Sequence, residues 1–227
     1  MENLIYILFI IIVIPLTLLL LLLHRRSKLI VGYTIIGVFS ALFIAELNGI
    51  LLNYFANDVF YVTTTITPVT EEIIKALSVL FYAYVFSDDL EKLMQLSFAV
   101  GIGFALFENM VFLLRYSPDM TVSLALIRGI STALMHGVCT AAVGLGISSV
   151  RKKKEFFFGG TFALLMLAIL YHGIFNILVQ SRYPYIGYAI PLITYIPLLI
   201  RQSVFFKSKQ DPKESTEKAP DDGAAIS

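Results

Sequence analysis

Eight ionisable side chains stand inside stretches of this sequence that are otherwise apolar: Glu46, Glu71, Glu72, Lys75, Glu108, Arg128, His136 and His172. A charged group at the centre of a hydrocarbon layer costs about 2.5–3.5 kcal/mol even on the mildest scale, so each is a site candidate. Glu71, Glu72, Glu108, His136 and His172, with Asn176, are the types that hydrolytic chemistry uses. A carboxylate takes a proton from water, an imidazole passes one on or holds a metal, and an amide stabilises an oxyanion. Glu71 and Glu72 are adjacent, with Lys75 four and three residues on, within reach along one helix face. His172 and Asn176 share a face by the same four-residue spacing. A first-turn acidic pair favoured by the helix dipole after Pro68 and Thr70 would explain one carboxylate, not two. Glu46 reads as structural and Arg128 as a counter-ion to a glutamate.

Two kinds of work suit this set. One is hydrolysis by activated water. Zinc is compatible with it, because His and Glu are among zinc's usual ligands, although no His-Glu-x-x-His helix is present. The other is proton- or cation-coupled transport, for which buried carboxylates and histidines are equally natural. A non-catalytic membrane scaffold is the third reading. Transport folds commonly carry internal repeats. No convincing halves appear here, and the polar residues form a compact set.

The elements that must position these groups are transmembrane helices. Of 227 residues 58% are hydrophobic and 15% charged, with a mean hydropathy of +0.82, where a soluble domain has roughly a quarter of its residues charged. Apolar runs between polar breaks predict seven spans: Leu4–Leu23, Leu29–Asn53, Pro68–Phe86, Leu93–Tyr116, Val122–Val150, Phe156–Gln180 and Tyr185–Phe206. Each reaches across about 30 Å of hydrocarbon at 1.5 Å per residue, and unalternating runs of that length satisfy their backbone only as helices. The expected fold is therefore an all-α polytopic bundle over 1–206, with a motif-bearing core at 68–180. The stretch 207–227, rich in Lys, Asp, Glu, Pro and Ser, is expected to be a disordered cytoplasmic tail. The first span lacks a basic leader and a small-residue cleavage site, and reads as a reverse signal-anchor.

With seven spans, 13 of the 17 Lys and Arg residues fall on the side of the C-terminus, led by Arg25, Arg26, Lys28, Lys92 and Arg151-Lys152-Lys153-Lys154. That asymmetry predicts the N-terminus outside and the C-terminus in the cytoplasm. The candidate residues of spans three to six then lie in the outer half of the bilayer or near its midplane. The charges flank apolar runs and form no patch for nucleic acid, and the single Cys139 makes no internal disulfide.

Glu71-Glu72-Ile73-Ile74-Lys75 resembles the Glu-Glu-x-x-Lys motif of the PrsW family of intramembrane proteases. Phe104-x-x-x-Glu108-Asn109, His136 and His172-x-x-x-Asn176 follow in that family's order on successive spans. The wider group includes CAAX prenyl proteases and bacteriocin-processing enzymes, which carry Glu-Glu-x-x-x-Arg and Phe-x-x-x-His. Here Lys75 stands one position short of that arginine and Glu108 replaces the histidine, both departures toward PrsW. The resemblance implies an intramembrane endopeptidase of a prokaryotic plasma membrane. It would cleave a single-pass, anti-sigma-factor-like membrane protein near the outer face, in the manner of site-1 regulated proteolysis. It further implies catalytic roles for Glu71 or Glu72 as water-activating base, with His172 as partner and Asn176 as oxyanion donor. Glu72, Glu108, His136 and His172 become the expected metal ligands, zinc among the metals that fit.

The orientation is open to a labelling test. In a Cys139→Ser background, a membrane-impermeant maleimide should modify Asn57→Cys on intact cells and Lys153→Cys only after lysis. The reverse pattern would invert the bundle.

Overall fold

The computed structural model describes residues 2–23, 25–116, 121–148 and 157–210. The expected breaks at Ser117–Asp119 and Arg151–Lys154, and the tail from residue 211, lie outside the described residues. Every regular element among the described residues is helical. Seven long helices follow one another: α1 Glu2–Leu22, α2 Arg25–Tyr54, α3 Thr67–Val85, α4 Leu90–Tyr116, α5 Val122–Ile147, α6 Phe162–Val179 and α7 Pro184–Gln210. Each coincides with one of the seven apolar stretches. Helix α7 runs to Gln210, past the expected start of the tail.

Five of the seven, α1, α2, α4, α5 and α6, are long and apolar enough to cross a membrane. Helix α3 falls outside that group because it carries Glu71, Glu72 and Lys75 within 19 residues. It nevertheless packs inside the bundle, against α2, α4, α5 and α6. Helix α1 lies at the edge against α2, with most of its apolar surface outward.

The entry into α3 differs from expectation. Ala56 and Asn57 take positive φ angles of 53° and 62°, reversing the chain after α2. The Asp58 side chain then caps a new helical turn, Val59–Tyr61, by accepting from Tyr61 N at 2.9 Å. A π-helical segment, Val62–Ile66, joins that turn to α3. The helix therefore begins about three turns before Glu71, so Pro68 and Thr70 do not start it. The reading of Glu71 and Glu72 as a first-turn acidic pair is corrected accordingly: the dipole's effect fades within the first turn.

The π register has a local cause and a local use. Thr67 N donates to Val62 O rather than to Thr63 O, and Pro68 has no N–H to return to Thr64. The Thr63 carbonyl is thereby released, and Asn176 of α6 fills it, its Nδ2 donating at 2.8 Å. Gly173, one turn earlier on α6, is where that helix meets the Thr64 carbonyl: a Cβ there would lie 3.1 Å from the oxygen.

Backbone-to-backbone contacts hold α2, α4 and α5 together. A Cβ on Gly37 would overlap the main-chain oxygen of Val100, and one on Gly103 that of Thr34. One on Gly101 would overlap the main-chain oxygen of His136. Small residues at helix crossings allow this closeness in lipid, where packing replaces the hydrophobic driving force. The Gly101 contact also sets the height of His136 against α4.

Gly103→Val must separate α2 from α4 and should cost about 1–3 kcal/mol or more, read as a lower melting temperature in detergent. Gly49→Ala, where an added Cβ meets nothing within 4 Å, should leave the melting temperature unchanged.

Candidate active site

Helix α3 contributes Glu71, Glu72 and Lys75 to the interior, α4 contributes Glu108, α5 His136 and α6 His172. Lys75 and His136 have no exposed surface, and Glu72, His172 and Glu71 are 1%, 2% and 5% exposed. Groups this deep must satisfy one another, and their contacts form one continuous network.

The network centres on the two histidines. Lys75 Nζ lies 2.7 Å from Glu72 Oε1 and 2.9 Å from His136 Nδ1. An ammonium only donates, so His136 Nδ1 accepts and its proton sits on Nε2, which donates to Glu108 Oε2 at 2.6 Å. Glu72 Oε1 also faces His172 Nδ1 at 2.9 Å. A carboxylate only accepts, so Nδ1 carries a His172 proton, and Nε2 is bare of any hydrogen bond. That Nε2 lies 3.8 Å from Glu71 Oε2, which is 3.9 Å from His136 Nδ1. Each imidazole therefore turns one nitrogen toward Glu71 and gives its other N–H to a second glutamate.

Glu71 Oε2 is buried and has no hydrogen-bond partner. An acceptor without a donor, facing a bare imidazole nitrogen, is an arrangement that a cation completes. The ligand atoms of Glu71, His136 and His172 all lie within 4.8 Å of one another. Tetrahedral zinc with bonds of about 2.1 Å keeps its donors roughly 3.4 Å apart, so the 3.8 and 3.9 Å separations from Glu71 need a small closure, and the histidine pair must close from within 4.8 Å. The nitrogen and oxygen donor set suits zinc and related divalent ions. Carboxylates on the far nitrogens match the way metal-binding histidines are usually oriented. In the present arrangement Lys75 occupies the His136 Nδ1 lone pair, so a cation there displaces that one contact.

The structure thus brings together Glu71, Glu72, Glu108, His136 and His172, and redistributes them. Of the expected metal ligands, Glu72 and Glu108 stand on the far side of the histidines, and Glu71 takes the central position. Glu72 pairs with Lys75 and does not line the cavity that Glu71 and Glu108 share. Asn176, expected as an oxyanion donor, spends at least one amide N–H on Thr63 O. Glu46 accepts from the Tyr6 hydroxyl at 2.9 Å. Arg128 reaches Glu108 Oε1 at 3.3 Å and lies with its guanidinium carbon 3.5 Å from the Phe112 ring centre. Sequence reasoning missed the Lys75–His136 contact and the Phe104 ring beneath the Lys75 ammonium, 4.7 Å away. It also missed the π segment, whose one trace in the sequence is a proline following a run of threonines.

The cavity that Glu71 and Glu108 line has a volume of about 350 Å³. It extends past Asn48 and Leu52 of α2, Tyr116 of α4 and Gln180 just after α6, all near the C-terminal ends of those helices. Its walls are mostly apolar, with Arg128 and Asn176 among the polar exceptions. An apolar cleft with a few convergent polar groups is the usual form of a small binding or catalytic site.

Comparison with known proteins agrees with this geometry. The chain is 25% identical over 192 residues, 78% of its own length and 77% of the other's, to "Protease PrsW" of Clostridioides difficile (strain 630). No solved structure matches it. A family model described as "PrsW family intramembrane metalloprotease" matches residues 25–201, a range that contains every residue of the buried network. The chain, a multi-pass membrane protein, belongs to the PrsW family of intramembrane metalloproteases.

Proposed function

We propose that this protein is an endopeptidase that uses Glu71, His136 and His172 to hold a divalent cation, zinc being the ion its donor set fits best. The observation that carries the proposal is the unpartnered Glu71 Oε2, facing the bare Nε2 of His172 and the Nδ1 of His136. When bound, such an ion lowers the pKa of water toward neutrality and polarises a peptide carbonyl. The protein's own groups do the rest. Glu72 and Glu108 accept the far N–H of each histidine, fixing tautomer and ring orientation. Lys75 balances the Glu72 charge. Glu108, which lines the cavity with 36% of its side chain exposed, holds His136 through Oε2 and meets Arg128 through Oε1.

A metal-free alternative has one observation in its favour. With Lys75 on His136 Nδ1, Glu71 and His172 Nε2 remain as a carboxylate–imidazole pair able to activate water directly.

The further reading keeps all seven helices as spans, with the N-terminus outside and the C-terminus in the cytoplasm. Charge asymmetry supports it, and under it the cavity's lining at the ends of α2, α4 and α6 lies toward the outer face. Cleavage then falls near that face, on a single-pass membrane protein of the anti-sigma-factor kind, as the first step of regulated proteolysis. The family resemblance supports this choice of substrate.

Metal analysis of purified protein separates the two mechanisms. The cation reading expects close to one zinc per chain, lost in Glu71→Gln and in His172→Ala. Glu72→Gln should retain the site with affinity lowered about 10- to 100-fold. Cleavage of a co-expressed single-pass protein should disappear in Glu71→Gln and His172→Ala and recover in chelated wild type on adding zinc. Activity that resists chelation but requires Glu71 would select the metal-free pair, and cleavage surviving both substitutions would sink the protease assignment.

A further inference from the structure

Asn48 stands in the apolar helix α2, within about two turns of its end at Tyr54, and lines the cleft that Glu71 and Glu108 share. Its Oδ1 accepts from the Thr67 hydroxyl at 3.2 Å. As a clamp between α2 and the start of α3 the residue needs only that acceptor. A side-chain amide also brings two N–H donors, and Asn48 Nδ2 has no partner among the described residues. Nor is it one of the unpartnered polar atoms sealed in the interior, so it is open to what enters the cleft.

Two further amides line the same cleft, Asn176 and Gln180. Asn176 Nδ2 serves the Thr63 carbonyl, and Gln180 Oε1 accepts from the Thr63 hydroxyl at 3.2 Å. A threonine in or beside the π segment thus orients each of the three side chains, and each keeps capacity that the fold does not use. Asn48 keeps Nδ2, Asn176 keeps Oδ1, and Gln180, which gives one Nε2 hydrogen to the Asn176 carbonyl, keeps the other.

Fixed amides in an apolar cleft suit a peptide main chain. A transmembrane helix satisfies its own N–H and C=O groups, and a segment opened for hydrolysis exposes them where lipid offers no replacement. Thr67 and Glu71 are four residues apart on one face of α3. Asn48, tied to Thr67, therefore lies about 6 Å along the helix axis from Glu71, the length of about two residues of extended chain.

We infer that Asn48 binds the main chain of the segment to be cleaved, its Nδ2 donating to a peptide carbonyl about two residues from the scissile bond. Asn176 and Gln180 complete a subsite for extended backbone. That the bound segment is a substrate rests on the protease reading above. The subsite reads backbone, so the side chains of the held residues matter little.

The test uses the full-length protein with zinc in dodecyl maltoside micelles and fluorescent hexa-alanine peptides, with binding read by anisotropy. One series carries a hydroxamate at the C-terminus and one at the N-terminus, anchoring the chain at the cation in either direction. Within each series an ester oxygen replaces one amide N–H at each position in turn, which weakens the adjoining carbonyl as an acceptor. In one series the all-amide peptide should bind wild type about fivefold more tightly than Asn48→Asp, a substitution that keeps the Thr67 contact and removes the Nδ2 donors. An ester about two residues from the hydroxamate should cost wild type the same factor and cost Asn48→Asp nothing, a coupling that a purely structural role would not produce. Leu in place of Ala at that residue should leave the affinity nearly unchanged. Asn48→Leu should repeat the loss without adding a carboxylate, and melting temperatures identify a variant that fails to fold. Equal binding of the all-amide peptides to wild type and both variants overturns the proposal, as does an ester penalty that persists in both. If a plain carboxamide binds as tightly as the hydroxamate, the cation reading fails, and the ester coupling still decides the Asn48 subsite.

Discussion

A lysine ammonium with no exposed surface, set in a bundle of apolar helices, needs an anion in contact with it. Lys75 has one in Glu72, 2.7 Å away, and that pair organises the interior of the protein. Removing one member of a buried pair leaves an uncompensated charge, at a typical cost of about 3–5 kcal/mol. The pair can therefore impose its position on its surroundings. His172 must turn Nδ1 to Glu72, and His136 must turn Nδ1 to Lys75 and Nε2 to Glu108. The consequence is a carboxylate, Glu71, facing the one nitrogen left over, His172 Nε2, and the Lys75-bound Nδ1 of His136.

The same economy governs the backbone. A proline inside a membrane-embedded helix removes one donor, and in lipid the stranded carbonyls need partners from elsewhere. The chain meets this with a π segment and with Asn176, whose amide serves the Thr63 carbonyl. Helix α6 is thereby tied to the approach to α3, near the height at which His172 meets Glu72. Asn176, expected as an oxyanion donor, here joins α6 to the approach to α3 through one amide N–H.

Close packing of α2, α4 and α5 through glycines is the other half of the design. Where Gly37, Gly101 and Gly103 bring backbones together, the bundle is rigid and the polar residues sit at fixed heights. Where the helices part, cavities open, and Arg128 lines two of them. Its guanidinium reaches Glu108 on one side and leaves Nε unpartnered.

Much of this was legible in the residues themselves. Runs of twenty or so apolar residues between charged breaks can only be helices in lipid, so the seven elements and their order followed from composition. Because ionisable groups are costly there, Glu71, Glu72, Lys75, Glu108, His136 and His172 stood out without any coordinates. What sequence could not assign was the role of each. Adjacent glutamates on one helix point in directions a hundred degrees apart, and which one faces the histidines depends on how α3 is rotated against α5 and α6. That rotation depends on the π segment, which begins about two and a half turns upstream, and on its contacts with Gly173 and Asn176 of α6, long-range consequences of packing. Tertiary structure alone therefore placed Glu71 between the histidine nitrogens, put Glu72 behind Lys75, and turned Asn176 toward the Thr63 carbonyl.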